Sequence, residues 1–361
     1  MKITVNTNEF KTAMEKVIKA TSKCNIPVLK NIHVTINNSI CRLHATDLIT
    51  TIVSNIPTVS SESIDFILDD VKNLCKAIKF FKEPEMIFDI DENKLTMICG
   101  DKKISQNIKI ETEKDNVFPC INEVISDKEY TYNVSDLKKR VNLINYAVAK
   151  SDNRPILQGI HFNGNDMVAI DGFKLAVNSN DSLNIDTPIT VPEVALKIAV
   201  DVLHGNIKIT TDKKYISISD ENTSIIIRLL DGEYHNYKNS IPTNTNFVDV
   251  DVKNFTEALK YLKTFISEKT KTPIQWLGNE LRLKTIKGMY EVSINTVNTT
   301  GEVIGFNCDY MIDGLSQFHD TASISVNKNS PMLIQQEGNT ALVLPVMLKP
   351  EVNCFKDKES V

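Results

Sequence analysis

The feature that most constrains this chain is a helical stripe that occurs three times. Phe10, Met14, Val17 and Thr21 stand at i, i+4, i+7 and i+11. Leu137, Val141, Ile144 and Val148 repeat the spacing, and so do Phe255, Leu259, Leu262 and Ile266. That spacing lays one apolar or compact face along a helix. Each stripe follows a short alternating segment, at 3–5, 130–134 and 247–252, with the period of two that marks a strand. The copies lie about 120 residues apart, and self-similarity at a steady offset outranks any local reading of the sequence.

The match continues past the stripes. Extended, β-branched segments follow at 28–35, 156–162 and 281–295. Second helical stretches come near 68–81, 192–204 and 307–319, with Pro192 before Glu193 suiting a helix start. Strand-turn-strand patterns close each copy around Gly100-Asp101, Asp220-Glu221-Asn222 and Glu337-Gly338-Asn339. The pattern predicts three copies of one α+β domain, at 1–125, 126–245 and 246–348. The remaining tail, 349–361, has no periodicity and is expected to be disordered.

Composition excludes several classes. With 42% apolar and 24% charged residues the chain is an ordinary globular one. No run approaches about 18 consecutive apolar residues, so no membrane span is expected. The N-terminus lacks the apolar run of a secretory signal. Seven cysteines, an odd number with no C-x-x-C pair, argue against a disulfide framework or a zinc site and for reduced thiols in a cytoplasmic protein. Neither H-E-x-x-H nor a P-loop occurs, so no metal or cofactor is expected. Asp47 and Asp171 occupy corresponding points of two repeats with no accompanying base or nucleophile; turn hydrogen bonding is the expected role, and no catalytic residue is assigned.

The net charge of −5 excludes a uniformly basic nucleic-acid binder. The charge is nevertheless segregated. The helical windows carry an excess of lysine and arginine, and the rest of the chain is acidic. Lys11, Lys72, Lys76, Lys79, Lys138, Lys139, Arg140, Lys253, Lys260 and Lys263 contribute. Such a surface touches phosphates without reading bases; the alternative is a set of solvated helix lysines.

Four segments carry a family resemblance. Residues 154–177 read RPILQGIHFNGNDMVAIDGFKLAV. Pro27-Val28-Leu29-Lys30-Asn31-Ile32 comes with Ala45-Thr46-Asp47-Leu48, residues 229–237 read LLDGEYHNY, and Leu344-Pro345-Val346-Met347-Leu348 closes the last copy. In order on a threefold repeat, they resemble the bacterial DNA polymerase III beta subunit over residues 1–348. The resemblance implies three clamp domains, each with two helices on antiparallel sheets, forming half of a closed ring. It also implies a head-to-tail homodimer that encircles duplex DNA and tethers the replicative polymerase. An ATP-driven clamp loader and repair proteins would bind through short peptides of roughly the form Gln-Leu-x-Leu-Phe.

The resemblance further implies residue roles. A partner-peptide groove would comprise Leu157, Ile170, Gly172, Lys174, Leu175, Tyr234, His235, Pro331, Leu344, Pro345, Val346, Met347 and Leu348. Ile170, Phe173, Lys174, His235, Asn239 and Met347 depart from the family pattern and make the pocket more apolar. DNA contact would fall to Lys23, Lys72, Lys76, Lys79, Lys138, Lys139, Lys150, Ser151, Arg154 and Lys260. The dimer interface would set Lys102, Lys103 and Ile104 against Leu262, Phe265 and Ile266. The tail, which holds Phe355, could alternatively fold over the groove. Two rival functions remain: an enzyme with an unrecognised hydrolytic site, and a diverged clamp-like scaffold that binds proteins without being loaded on DNA.

Overall fold

The computed structural model describes residues 1–21, 26–59, 62–111, 118–120, 124–151, 153–243, 246–267, 271–298, 301–327, 330–349 and 353–355. The first copy runs β1 (Lys2–Asn6), α1 (Thr7–Val17), β2 (Ile32–Asn37), β3 (Ile40–Thr46), β4 (Thr50–Pro57), β5 (Ile64–Leu68), α2 (Val71–Ile78), β6 (Glu85–Asp91), β7 (Lys94–Cys99), β8 (Lys102–Asn107) and β9 (Lys109–Ile110). The second runs β10 (Glu129–Asn133), α3 (Val134–Ile144), β11 (Gly159–Gly164), β12 (Asp166–Ile170), β13 (Lys174–Ser179), β14 (Ile185–Pro192), α4 (Glu193–Val202), β15 (Asn206–Thr211), β16 (Tyr215–Ser219) and β17 (Thr223–Arg228). The third runs β18 (Phe247–Asp251), α5 (Val252–Lys263), β19 (Ile274–Leu277), β20 (Glu280–Thr285), β21 (Gly288–Ser293), β22 (Thr296–Val297), β23 (Ile304–Phe306), α6 (Cys308–Leu315), β24 (Thr321–Ser325), β25 (Met332–Gln336) and β26 (Asn339–Val343). Few helices on several antiparallel sheets make this an α+β chain, as the sequence predicts. No helix among the described residues is long and apolar enough to cross a membrane.

The same local chemistry starts the first helix of each copy. A strand ends on Asn6, Asn133 or Asp251, and that side chain accepts hydrogen bonds from the first turn: Asn8 and Glu9 N–H at 2.9 and 3.0 Å, Ser135 N–H at 2.9 Å, and Asn254 N–H at 2.7 Å. These are N-caps, and they relieve the unpaired donors that every helix start exposes. The stripes then bury Phe10, Met14 and Val17; Leu137, Val141 and Ile144; and Phe255, Leu259 and Leu262. The fourth position falls beyond each α-helix, at Thr21, Val148 and Ile266, because the last turn tightens or opens there. Two further expectations shift in detail. The extended segments at 28–35 and 156–162 begin with 3-10 turns, Pro27–Lys30 and Pro155–Gln158. Pro192 ends β14, one residue before α4.

Two compact units result, one of Met1–Lys138 with Val194–Leu229, the other of Lys139–Glu193 with Leu230–Val361. In the first, a nine-stranded sheet runs β10-β15-β16-β17-β4-β3-β2-β5-β9, and a four-stranded sheet runs β1-β6-β7-β8. Strands of two copies thus share one ladder through β17 and β4, with Ile225 opposite Ile52. Lys16 on α1 reinforces the join through Thr223 Oγ1 at 2.9 Å and Asp220 at 3.4 Å. The second unit has the same plan. Its nine-stranded sheet runs β14-β11-β12-β13-β26-β25-β24-β18-β22, joined at β13 and β26, and its four-stranded sheet runs β21-β20-β19-β23. Phe255 of α5 packs on Trp276 of β19 at 5.1 Å in its core.

The tail departs from expectation where it is described. Phe355 is 1% exposed. It lies on Arg282 of β20, 4.4 Å from guanidinium carbon to ring centre, and does not line the cavity described below.

Candidate functional site

A cavity of about 600 Å³ opens in the second unit. Its apolar lining is Leu157, Ile170, Leu175, Leu342 and Leu344, with Pro242 and Pro331. Its polar lining is Arg154, His235, Asn239 and Ser240. The floor is continuous with a small core of Ile156, Val168, Val177 and Tyr237, so the wall under any ligand is already packed. Leu175 of β13 and Leu342 of β26 are directly opposite across the strand join, and Leu344 N–H donates to Phe173 C=O at 3.0 Å.

The β12–β13 loop shapes one side. Asp171 accepts hydrogen bonds from Phe173 N–H at 2.9 Å and Lys174 N–H at 2.8 Å. Gly172 sits at φ +88°, a conformation that glycine adopts without a side-chain clash. Asp47 plays the same part in the first copy, accepting from Ile49 and Thr50 N–H at 3.0 and 2.6 Å. Both aspartates are turn formers, as the sequence suggests.

Lys174 is held in a way the sequence does not disclose. Its side chain is 8% exposed and its ammonium faces inward. The ammonium donates to Tyr146 C=O and to Asp313 of α6, each at 3.0 Å, stands 3.6 Å from Asp171, and lies over the rings of Tyr146 and Tyr310. The Tyr146 phenol is pushed up by burial and by the Asp313 and Asp171 charges. Lys174 therefore fastens the loop to α6 and lends the cavity mostly its alkyl stem. Phe173 stacks on Tyr310 at 5.8 Å yet keeps 56% of its surface exposed at the mouth. His235 Nε2 pairs with Ser240 Oγ at 2.9 Å on the rim.

The named groove residues divide. Leu157, Ile170, Gly172, Lys174, Leu175, His235, Pro331 and Leu344 line the cavity. Tyr234 does not: it is buried against His161, ring centres 4.2 Å apart. Pro345, Val346, Met347 and Leu348 run on along β23, with Val346 N–H donating to Gly305 C=O at 2.7 Å. Leu342, Ser240 and Pro242 were not expected. Leu342 was legible, because it stands in β26 two residues before Leu344, which follows the end of that strand and keeps its period of two.

The DNA candidates divide too. Lys23 lies outside the described residues. Lys72, Lys76, Lys139, Lys150, Ser151 and Lys260 are exposed. Lys79 pairs with Glu15 at 3.1 Å and Lys138 with Asp201 at 2.7 Å. Arg154 lines the cavity. Arg140, counted among the helix cations, is 4% exposed and bonds Asn178 and Asn165. At the expected interface, Lys102, Lys103 and Ile104 lie on β8 and Phe265 is 38% exposed beside half-buried Ile266. Leu262 is a correction: it is fully buried in the core of its own unit and is not available to a second copy.

Residues 1–121 match the family described as DNA polymerase III beta subunit, N-terminal domain, and residues 131–236 match its central domain. The beta sliding clamp of Chlamydia pneumoniae is 24% identical over 96% of this chain and 99% of its own length. That of Staphylococcus aureus is 24% identical over the same shares. Among solved structures, the DNA polymerase sliding clamp of Bacillus subtilis superposes with a TM-score of 0.86 at 19% identity, over 97% of this chain and all of that one. A putative DNA polymerase III beta subunit from Eubacterium rectale gives 0.87 at 20% identity, over 96% and 99%.

Proposed function

Since this chain belongs to the DNA polymerase III beta subunit family, we propose that it works as a DNA sliding clamp, a non-catalytic processivity factor. Near-full-length likeness to named clamps, on a threefold-repeated fold, is the observation that carries this reading. In it, two copies associate head to tail and enclose duplex DNA. The helix lysines would then meet phosphates diffusely, which holds DNA without pinning it to one register. Partners, among them the replicative polymerase, an ATP-driven loader and repair proteins, would insert apolar peptide side chains into the Leu157–Leu344 cavity. Tethering raises the polymerase's effective concentration at the primer end. A chain with this work belongs in the cytoplasm.

Two strand edges support the proposed seam. β8 ends the four-stranded sheet of the first unit and β21 ends that of the second. Open edges invite pairing with another chain. β8 offers Ile104; β21 offers Tyr290, with Phe265 stacked on it at 3.8 Å. Apolar side chains at both edges suit a head-to-tail contact that closes after two copies.

The test is retention on nicked circular against linear DNA after loading, followed by a high-salt wash. A clamp stays on the circle, because topology is insensitive to salt, and leaves the linear molecule by its ends. Equal, salt-labile binding to both would sink the reading and favour the protein-binding scaffold.

A further inference from the structure

The described residues near the C-terminus, 344–349 and 353–355, lie against the four-stranded sheet of the second unit. β19 buries Ile274 and Trp276 in the core, so Gln275 between them points to the opposite face. Gln275 is nonetheless only 2% exposed. In register it stands opposite Gly305 of β23 on one side and Arg282 of β20 on the other, and Arg282 stands opposite Glu291 of β21. Gly305, Gln275, Arg282 and Glu291 thus form one row across four strands.

The chain end fills that row in order. Leu348 occupies the notch over Gly305, where a Cβ would lie 2.6 Å from its Cδ2. Cys354 is held from both sides: its N–H donates to Gln275 Oε1 at 2.8 Å, and its C=O accepts from Arg282 Nη1 at 3.0 Å. Phe355 covers the guanidinium, and its N–H donates to Asn353 Oδ1 at 2.8 Å. Arg282 is itself fixed by Glu280 at 2.7 Å and Glu291 at 3.4 Å. A ring on a guanidinium braced by two carboxylates is a specific seat, stronger than loose apolar contact.

The other end of this run is the cavity wall. Leu344 lines the cavity, and the Val346 N–H to Gly305 C=O bond ties the next residues to β23. A short segment fastened at one end only frays; fastened at both, it keeps one register. We propose that Phe355, Arg282 and Gln275 are positioning residues for the partner-peptide cavity: the seated tail holds residues 345–348 on β23 and, through them, Leu344 in the cavity wall. The part about peptide binding rests on the cavity reading given above; the part about the wall does not.

The experiment compares the full chain, Phe355→Ala, Phe355→Trp and a chain ending at residue 348. Amide exchange at Val346 reads the β23-bound segment that carries Leu344. Binding of a synthetic Gln-Leu-Ser-Leu-Phe peptide reads the cavity, and thermal unfolding reports global folding. The expected result is exchange at Val346 faster by about tenfold or more in Phe355→Ala and in the shortened chain. Peptide affinity should weaken several-fold in both while the main unfolding transition stays cooperative, and Phe355→Trp should restore both readouts. Unchanged exchange in both the alanine variant and the shortened chain would overturn the proposal. So would altered exchange with unchanged peptide affinity, since the tail would then steady the wall without serving the cavity. If the full chain fails to bind the peptide, the cavity reading falls, and the exchange arm still decides the role of the tail in the wall.

Discussion

Gly305 shows how one missing side chain organises a surface. A Cβ there would lie 2.6 Å from Leu348 Cδ2 and 2.9 Å from Val346 C=O, closer than packed atoms tolerate. Gly305→Ala is expected to destabilise the protein by about 1–3 kcal/mol, read as a lower denaturant midpoint. Buried histidines give a second residue-level expectation. Burial holds His44 and His161 down at about 4, with the His33 and Arg42 charges also lowering His44. His33 itself faces Asp65 and Glu111. A histidine held neutral by folding stabilises above its unfolded value near 6.5 and loses that contribution as pH falls toward 4. Each such group contributes up to about 3 kcal/mol. The urea midpoint should therefore drop between pH 7 and pH 4.5, less steeply in His44→Gln; an equal drop in that variant would refute the assignment. Lys174 marks a limit of legibility at this scale. The sequence places it at the cavity, but its partner Asp313 is 139 residues away, and only folding reveals that the charge turns inward.

Elements were more legible than their ends. Stripes of period 3.6 fixed the three long helices, since burial of one face is a local pattern. The fourth stripe position missed each time because the chain leaves the helix while staying apolar or compact. The caps Asn6, Asn133 and Asp251 stand at the strand-to-helix boundary in every copy, a signal present in the sequence and usable. The partner of each strand was not legible, because register across a sheet joins residues far apart in the chain. Leu262 and Phe265 illustrate the same gap: three residues apart at the end of α5, one faces the core and the other solvent. At the edges, Ile104→Asp on β8 or Phe265→Asp beside β21 is expected to shift the particle mass toward the monomer in sedimentation. If both remain fully dimeric, the seam lies elsewhere.

At the scale of the molecule, net charge misleads and its distribution informs. An acidic chain can still present cations on its helices, and Lys72 and Lys76 of α2 and Lys260 of α5 remain exposed. Others, such as Lys79 and Lys138, are already paired with carboxylates, so their pull on phosphates is weaker than a residue count suggests. The threefold repeat was readable end to end, whereas the joining of copies was not. β17 continues β4, and β26 continues β13, in unbroken ladders. Any cut that frees a single repeat therefore strips a strand of its neighbour and leaves a raw, sticky border that recruits other chains. The smallest self-sufficient piece of this protein is larger than its unit of sequence repetition.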